Sequence, residues 1–344
     1  LNISDSFSNG NGQSVFSQGN LQNEHGTVHN RASNYLNPTL DLYYSKNIGK
    51  KDELSLNLVG SHYDTNSTQF DREWILNSNQ DVFNNDMILK AKQNGIVAEV
   101  AHSHSFEKGK LNSGYRISNN SISNDLQNLA GNSNYTVNYL QQYLYTEYSG
   151  KKDKFTYRLG LGLTNIHNKS AETTFDEWAF TPKIVLGYQL KNNQSIRFSS
   201  SYIPQSPSSD ALSSNVVQVV PNIVRTGNPY LKSQHSFGNN LVYSFNSKYF
   251  DLNANAFYWF RNRASNQYYV LNQNVDGYLL TYENAKNSQQ YGIQLTGSVK
   301  PFGNNLLVVK MVVAPATEQL TTSRGYTFKN NYIGNYFNIS TLFY

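Results

Sequence analysis

The side chains that could do chemistry in this chain are few, and they favour binding over catalysis. The sequence has no Cys, and it contains no G-x-S-x-G elbow, no H-E-x-x-H motif and no P-loop. His102 and His104 would share one face of a β-strand and could ligate a metal ion. No third ligand is visible near them, so two polar residues near the rim of a sheet are the simpler interpretation. We therefore expect no enzymatic activity and no metal bound by this pair.

A calcium loop is a second candidate site. The segment 272–277, followed later by Glu, puts oxygen-bearing side chains at loop positions 1, 3 and 5, Gly at position 6 and Glu at position 12. The ligands would be Asn272, Asn274, Asp276 and Glu283. Position 1 is Asn where Asp is usual, and no flanking helices are expected. An ordinary Asn- and Gly-rich turn explains the same residues, so we expect no cofactor, with Ca²⁺ as the alternative.

Long polar segments carry the candidate ligand-binding side chains. Tyr and Trp offer flat, amphipathic surfaces that suit glycans, peptides or metal chelates. Each aromatic side chain could equally pack a loop or belong to a membrane-interface girdle. The candidates are Trp74, Trp178, Arg225, Asn228, Tyr230, Tyr268 and Tyr269.

The elements that must position these residues are β-strands, because apolar and polar side chains alternate with period two. In 249–261 the apolar set is Phe250, Leu252, Ala254, Ala256, Tyr258 and Phe260. The same pattern recurs in 53–61, 154–164 and 289–299. It predicts about thirteen strands of roughly ten to fifteen residues over 36–344. Residues 1–35 are rich in Gly, Asn and Ser and predict a loop or poorly ordered segment.

The connections between these strands alternate in length. Short turns, such as 48–52 and 149–153, separate long polar segments, such as 64–95, 206–233 and 262–287. Strand, short turn, strand, long loop is the plan of a transmembrane β-barrel, whose polar lumen face also explains the polar composition. Aromatic residues at strand ends, Tyr143 and Tyr145 among them, are expected to form interfacial girdles. A soluble β-sandwich or solenoid is the alternative, but it has no reason to alternate its connections in this way.

Composition excludes several other classes. Charged residues are 15% of the chain and aromatics 14%, and no apolar run reaches the length of a membrane-spanning helix. The net charge is +5, but the Lys residues are scattered over short turns and match no nucleic-acid-binding module. We expect no nucleic acid as a partner.

Four segments resemble a known family. Residues 226–232 (TGNPYLK) follow a long loop and contain a G-N-P-x-L-K element. Residues 179–188 (AFTPKIVLGY) and 195–199 (SIRFS) resemble an F-P-x-hydrophobic-Y…l-R-y-S hairpin, which 159–161 (LGL) precedes. Residues 108–115 (KGKLNSGY) match a k-g-k-L-e-G-Y-k turn and strand. Together they resemble the barrel of TonB-dependent receptors, particularly the outer-membrane barrel family of Bacteroidetes-type bacteria.

The resemblance covers about residues 96–260, and it implies an outer-membrane location. Such receptors have about 22 barrel strands around a plug domain, with a TonB box ahead of the plug. We find no plug-like stretch and no TonB box, so this chain is expected to be part of a longer polypeptide. The implied partners are the bilayer with its lipopolysaccharide and TonB, acting through a plug that this chain lacks. A surface lipoprotein docking on the long loops would also fit.

Two functions follow from this fold class, an all-β, antiparallel, up-and-down transmembrane barrel of which this chain holds a part. The first is the barrel part of a TonB-dependent receptor that binds and imports a glycan, a peptide or a metal chelate. The alternative is an assembly barrel that acts as a scaffold for surface lipoproteins or secretion machinery without transport. Fold alone does not choose between them.

Overall fold

The computed structural model describes residues 2–18, 21–272 and 277–341, and most of them lie in β-strands. Sixteen strands form one large sheet and four form a second, smaller sheet. The helix α1 (Ser209–Leu212) is one turn long. Within these ranges no helix has the length and apolar character needed to cross a membrane.

The large sheet contains the long strands of the chain. They are β1 (Asn2–Gln18), β2 (Leu21–Asn37), β3 (Thr39–Asn47), β4 (Asp52–Ile75), β5 (Gln80–Phe106), β6 (Gly109–Asn128), β7 (Gly131–Lys152), β8 (Phe155–Ser170), β9 (Thr174–Phe180), β10 (Lys183–Lys191), β11 (Gln194–Gln205), β14 (Gln234–Asn246), β15 (Phe250–Asn262), β18 (Asn287–Val299), β19 (Leu307–Thr321) and β20 (Thr327–Thr341). The small sheet contains β12 (Val217–Val220), β13 (Ile223–Arg225), β16 (Ser265–Asn272) and β17 (Gly277–Asn284).

The large sheet is an up-and-down antiparallel path in which each chain pass pairs with the next. Two of its passes are interrupted at a proline. β2 and β3 flank Pro38 and both pair with β4, while β9 and β10 flank Pro182 and both pair with β8. Proline has no N–H to give to a ladder, so each strand breaks there. The carbonyls of both prolines still accept backbone hydrogen bonds from the neighbouring passes. The predicted fold class is confirmed in this sheet.

The barrel is not closed. β1 and β20 lie at the two ends of the path, and over the described ranges they do not pair with each other. The sheet is therefore an arc of barrel wall, with an unpaired edge at each end.

One face of the large sheet is apolar and remains exposed. Cross-strand partners on this face include Leu42 and Leu58, Leu144 and Leu163, and, farther along the sheet, Ala256 and Ile293. The predicted alternation over 154–164 and 249–261 is confirmed, since Leu159, Leu161, Leu163 and Tyr258 lie on this apolar face with more than a third of their surface accessible.

The opposite face of the sheet is polar. In the strands that show the period-two pattern, Ser, Thr, Asn, Gln and charged side chains alternate with the apolar set, which is the arrangement that a wet barrel interior requires. Tyr143 and Tyr145, which were predicted for an interfacial girdle, lie on this polar face instead. The girdle prediction was wrong for these two residues because alternation puts Leu144 on the apolar face between them.

Two sequence predictions about loops were also wrong. Residues 1–35 contain β1 and most of β2, which pair along 17 residues each. The segment 64–95 is a hairpin made by the outer parts of β4 and β5, strands of 24 and 27 residues. Both segments are polar on their two faces, so they lack the period-two signal that marks a half-buried strand, although their backbone groups form regular ladders.

Glycines on the sheet make room for aromatic rings on neighbouring strands. A Cβ at Gly238 would lie 2.7 Å from a ring carbon of Trp259, its direct cross-strand partner. A Cβ at Gly114 would lie 2.6 Å from the Tyr145 hydroxyl, and one at Gly26 would lie 2.4 Å from the Trp74 ring. Each ring covers the backbone that a glycine exposes, a known way of stabilising strand glycines.

We expect Gly238→Ala to destabilise the folded barrel wall by roughly 1–3 kcal/mol, because the new methyl group displaces the Trp259 ring. The matched control is Gly60→Ala, since a Cβ at Gly60 meets nothing within 4 Å. Heat-induced loss of the fast-migrating folded band in detergent gels measures the difference. Equal melting of the two variants would contradict the packing argument.

The two faces make a second prediction for a membrane barrel. Leu295 lies on the apolar face, and Gln294, its neighbour, lies on the polar face. Leu295→Arg should cost about 2–4 kcal/mol because it puts a charge into lipid, whereas Gln294→Arg should cost roughly 0–1 kcal/mol. Equilibrium unfolding in urea, measured in lipid vesicles, compares the two variants. A larger cost for Gln294→Arg would mean that the faces are assigned the wrong way round.

Candidate functional site

The polar face of β5–β11 carries a network of charged side chains. Glu147 on β7 forms ion pairs with Arg158 Nε at 3.2 Å and Lys183 Nζ at 3.4 Å. The Tyr145 hydroxyl donates to Glu99 Oε1 at 2.6 Å. These residues lie on β5, β7, β8 and β10, so their contacts run across the wall and line the interior of the barrel.

Two cavities open on this polar face. One, of about 380 Å³, is lined by Arg116, Lys183, Tyr143 and small hydroxyl side chains. The other, of about 420 Å³, lies nearer the short turns and is lined by Lys110, Lys151, Arg158, Arg197 and the backbone of three glycines. Both cavities present more cationic than anionic groups, which would suit anionic or strongly polar occupants.

The small sheet lies at the opposite end, where the long connections meet. β12 pairs with β13, β13 with β17 in parallel, and β17 with β16, so the segments 206–233 and 262–287 are joined into one unit. Sequence analysis predicted two separate loops here. Parallel pairing of residues about fifty positions apart leaves no local sequence signal, which is why the sheet could not be predicted.

The G-N-P turn anchors this unit. Asn228 Nδ2 donates to the Tyr282 carbonyl oxygen and its Oδ1 accepts from the Tyr230 backbone N–H, each at 3.0 Å. A Cβ at Gly227 would lie 2.4 Å from the Ser213 carbonyl oxygen, so the close backbone approach requires glycine. Asn228 was predicted as a ligand-binding residue, but both ends of its side chain are used in holding the turn.

A small apolar cluster packs beneath the unit. Tyr135 and Val137 on β7 contact Ala211, Leu212 and Leu231 from the connection. Burial raises the pKa of Tyr135. The Tyr282 hydroxyl donates to Asp210 Oδ2 at 3.0 Å. Burial opposes ionisation of Asp210, but hydrogen bonds from Ser208 and Tyr282 outweigh it and lower its pKa.

A polar cluster at the rim was missed by sequence analysis. Glu177 Oε1 accepts a hydrogen bond from Arg263 at 2.6 Å, and Glu177 Oε2 lies 3.1 Å from His235 Nε2. The Tyr202 hydroxyl is hydrogen-bonded to His235 Nδ1. Burial opposes ionisation of Glu177, but the bonds to Arg263 and His235 lower its pKa. The four residues come from four chain passes, and only the fold brings them together.

The predicted aromatic residues are dispersed. Tyr269, which is 60% exposed, meets the Tyr278 ring edge-on at a centroid distance of 6.3 Å on the small sheet. Tyr268 lies on the same strand with the Arg324 guanidinium 5.9 Å from its ring. Tyr230 is 71% exposed just beyond the G-N-P turn. Arg225 ends β13, and it is exposed.

Two predicted residues lie elsewhere. Trp74 packs over Gly26 within the β2–β4 ladder, with the Arg72 guanidinium 4.9 Å from its ring, so it is not part of a loop. Trp178 pairs with Asn165 on β8 and lies on the apolar face, 59% exposed. The small sheet therefore gathers Arg225, Tyr268 and Tyr269, while the two Trp residues stay apart from it.

The candidate metal ligands take different positions. His102 Nε2 and His104 Nδ1 both hydrogen-bond to Asp52 Oδ1, at 3.0 and 2.7 Å. Glu283 accepts a hydrogen bond from the Ser323 hydroxyl, and Asn272 ends β16. Asn274 and Asp276 lie outside the described residues, so the calcium loop stays a prediction. No group of three or more His, Asp or Glu side chains within the described ranges is arranged to hold a metal.

Solved structures with the same fold are outer-membrane transporters and receptors. A structure titled copper transporter OprC aligns at a TM-score of 0.59 and 10% identity, covering 95% of this chain and 64% of that one. The ferripyoverdine receptor of the outer membrane of Pseudomonas aeruginosa aligns at 0.53 and 10% identity, covering 97% and 58%. The ferric yersiniabactin uptake receptor FyuA from Yersinia pestis aligns at 0.54 and 11% identity, covering 92% and 52%. The chain thus spans less than two thirds of each, and at these identities the likeness shows the fold alone.

The sequence itself identifies the family. No curated protein sequence matches the chain. Residues 46–343, most of its length, match the profile described as the outer membrane protein beta-barrel family. The apolar face is therefore the lipid face, the polar face lines the lumen, and the short turns lie at the periplasmic end. The chain belongs to the outer membrane protein beta-barrel family, and it is a protein of the outer membrane.

Proposed function

We propose that the chain is the barrel part of a TonB-dependent receptor that captures a nutrient at its extracellular end and passes it through its lumen. The observation that carries the proposal is the small sheet, because it fixes two long connections into one platform with exposed tyrosines above a polar, charged lumen wall. Function on such barrels belongs to loops and lumen, since the outer face is committed to lipid.

The platform supports a ligand with flat or CH-rich surfaces. Tyr269, Leu271 and Tyr278 occupy one face of the small sheet, and each is at least half exposed. Arg225 lies on the same face, because it pairs with Leu280, which in turn pairs with Tyr269. Aromatic rings beside a cation suit a glycan, a peptide or an anionic metal chelate. The titles of the similar solved structures name copper and ferric yersiniabactin, but their low identity to this chain does not distinguish among these ligand classes.

The proposed mechanism is binding and gating, with no bond broken. The ligand would leave the platform for the lumen, where Arg116, Lys183 and Arg197 offer cationic contacts. TonB would supply energy through a plug domain that is not part of this sequence. Calcium binding by Asn272, Asn274, Asp276 and Glu283 stays a proposal.

Ligand binding tests the proposal directly. The full-length gene product, purified in detergent, would be titrated calorimetrically with ferric chelates, oligosaccharides and short peptides. We expect one class to bind, and Tyr269→Ala to weaken that binding about tenfold or more, as exposed aromatic contacts at interface centres often do. Tyr249→Ala is the matched control, because this exposed tyrosine lies at the periplasmic end.

Two outcomes would count against the receptor. If no class binds and the protein co-purifies with a surface lipoprotein or secretion component, the scaffold alternative replaces it. If a ligand binds but Tyr269→Ala and Tyr249→Ala weaken it equally, the platform is not the binding surface.

The platform should also open when its anchor is removed. The Asn284 side chain bonds the N–H and carbonyl oxygen of Lys232 and the carbonyl oxygen of Arg263, at 2.8, 3.0 and 3.0 Å. Asn284→Ala leaves these backbone groups unpaired, which destabilises the platform by about 1–3 kcal/mol. Limited trypsin digestion should then cut faster at Arg225 and Lys232, with the barrel's melting unchanged. Asn262→Ala, an exposed neighbour, is the control, and equal cutting in both variants would show that Asn284 is not the anchor.

A further inference from the structure

The net charge of the chain is concentrated at the periplasmic end. The six short turns and the strand ends beside them, 46–53, 105–110, 149–156, 189–195, 245–251 and 299–307, hold eleven Lys against five Asp and Glu, a net charge of +6. The whole chain carries +5, so the rest of it carries −1. The lysines that looked scattered in the sequence are gathered by the fold at one membrane surface.

Most of these lysines lie on three neighbouring turns. The β3–β4, β5–β6 and β7–β8 turns and their flanks carry eight of the eleven. Six of the eight have no ion pair or hydrogen bond through the side chain to any described residue: Lys46, Lys50, Lys51, Lys108, Lys151 and Lys152. All six side chains are exposed. Lys151 faces the lumen, and the other five lie in the turns or on the lipid-facing side of the strand ends.

By contrast, two of the three lysines on the later turns have partners, whereas Lys191 has no side-chain ion pair or hydrogen bond among the described residues. Lys300 Nζ lies 2.5 Å from Asp251 Oδ2. Lys248 Nζ lies 5.4 Å from the centre of the Tyr249 ring. The unpartnered positive charge is therefore concentrated in the β3–β8 sector.

An apolar groove lies on the lipid face of the same sector. It has a volume of about 490 Å³, and its apolar lining is Leu42, Tyr44, Leu56, Leu58, Ala98, Val100, Tyr115 and Ile117. Two rungs of cross-strand partners form it, one running through Ala98 and one through Val100. The short side chain of Ala98 leaves space between Leu58 and Ile117 on either side.

The next rung toward the periplasm changes from apolar to basic. It runs from Lys46 through Leu54 to His102 on the same lipid-facing side. One rung farther, Asp52 Oδ1 is already hydrogen-bonded to both His102 and His104. Lys50 and Lys51 follow in the turn. A groove that ends in a basic rim matches a molecule with an acyl chain and an anionic headgroup.

We propose that the β3–β6 groove and its lysine rim form a binding site for an anionic phospholipid of the periplasmic leaflet. The acyl chain lies in the groove along Ala98, and the headgroup phosphate meets Lys46, Lys50 and Lys51. Lys152, on the lipid-facing side of the β7–β8 turn, adds a further positive charge.

Native mass spectrometry of the detergent-purified protein tests the site. The protein is offered an equimolar mixture of phosphatidylglycerol and phosphatidylcholine with identical acyl chains. We expect phosphatidylglycerol adducts to predominate. Replacing Lys46, Lys50, Lys51 and Lys152 together by Gln should reduce that preference about tenfold or more, given the attraction of each lysine for anionic lipid.

Two further variants separate the site from general charge. Lys90, Lys92, Lys232 and Lys286 lie away from the short turns, and their replacement by Gln makes the same change in net charge. That variant should keep the preference. Ala98→Phe fills the groove without changing charge and should lower the occupancy of both lipids.

Four results would overturn the proposal. Equal adducts of the two lipids, or equal loss in both lysine variants, would mean that no basic rim is recognised. Loss of the phosphatidylglycerol preference only in the Lys90, Lys92, Lys232 and Lys286 variant would put the anionic lipid away from the short turns. If inorganic phosphate displaces phosphatidylglycerol and Ala98→Phe does not change the binding, the lysines bind phosphate alone and the groove holds no acyl chain.

Discussion

A peptide group inside a bilayer finds no water, so each N–H and C=O must be bonded by the protein itself, and the architecture of this chain follows from that requirement. The long antiparallel ladders meet it within the wall. Side chains are then free to divide by alternation, with leucine and other aliphatic residues outward and glutamate, arginine and serine inward. The prolines at 38 and 182 interrupt the ladder without ending the chain pass, because the next residues resume the same register.

The membrane-spanning parts could be predicted from the sequence because there one face meets lipid and the other meets water. The contrast is visible over residues 159–163, where Leu159, Leu161 and Leu163 all lie on the lipid face. The hairpins beyond the membrane meet water on both sides, so Asn and Ser occupy either face and the contrast disappears. This is why 1–35 and 64–95 were read as loops although their backbones are as regular as the rest.

The candidate site could be predicted only in its composition. Exposed tyrosines in the long connections were expected, and Tyr269 and Tyr230 are exposed. Their arrangement was not predictable, because the pairing of β13 with β17 and the bonds of Asn284 join residues far apart in the chain. In the G-N-P element, ligand contact by Asn228 and Tyr230 stays a prediction, and the structure adds a role that the motif did not indicate: Gly227 and Asn228 hold two connections together.

The packing of aromatic rings over glycines favours one register of strand pairing in the wall. A strand displaced by one position would turn Trp259 and Tyr145 to the opposite face, and a strand displaced by two would set each ring against a neighbour that has a side chain. Correct alignment is then distinguished by shape as well as by hydropathy. Such discrimination matters most where a uniform run of Ser and Asn would let adjacent strands slide, and Gly238 lies next to Asn239 and Asn240. The few glycines thereby help to select the correct strand register during assembly.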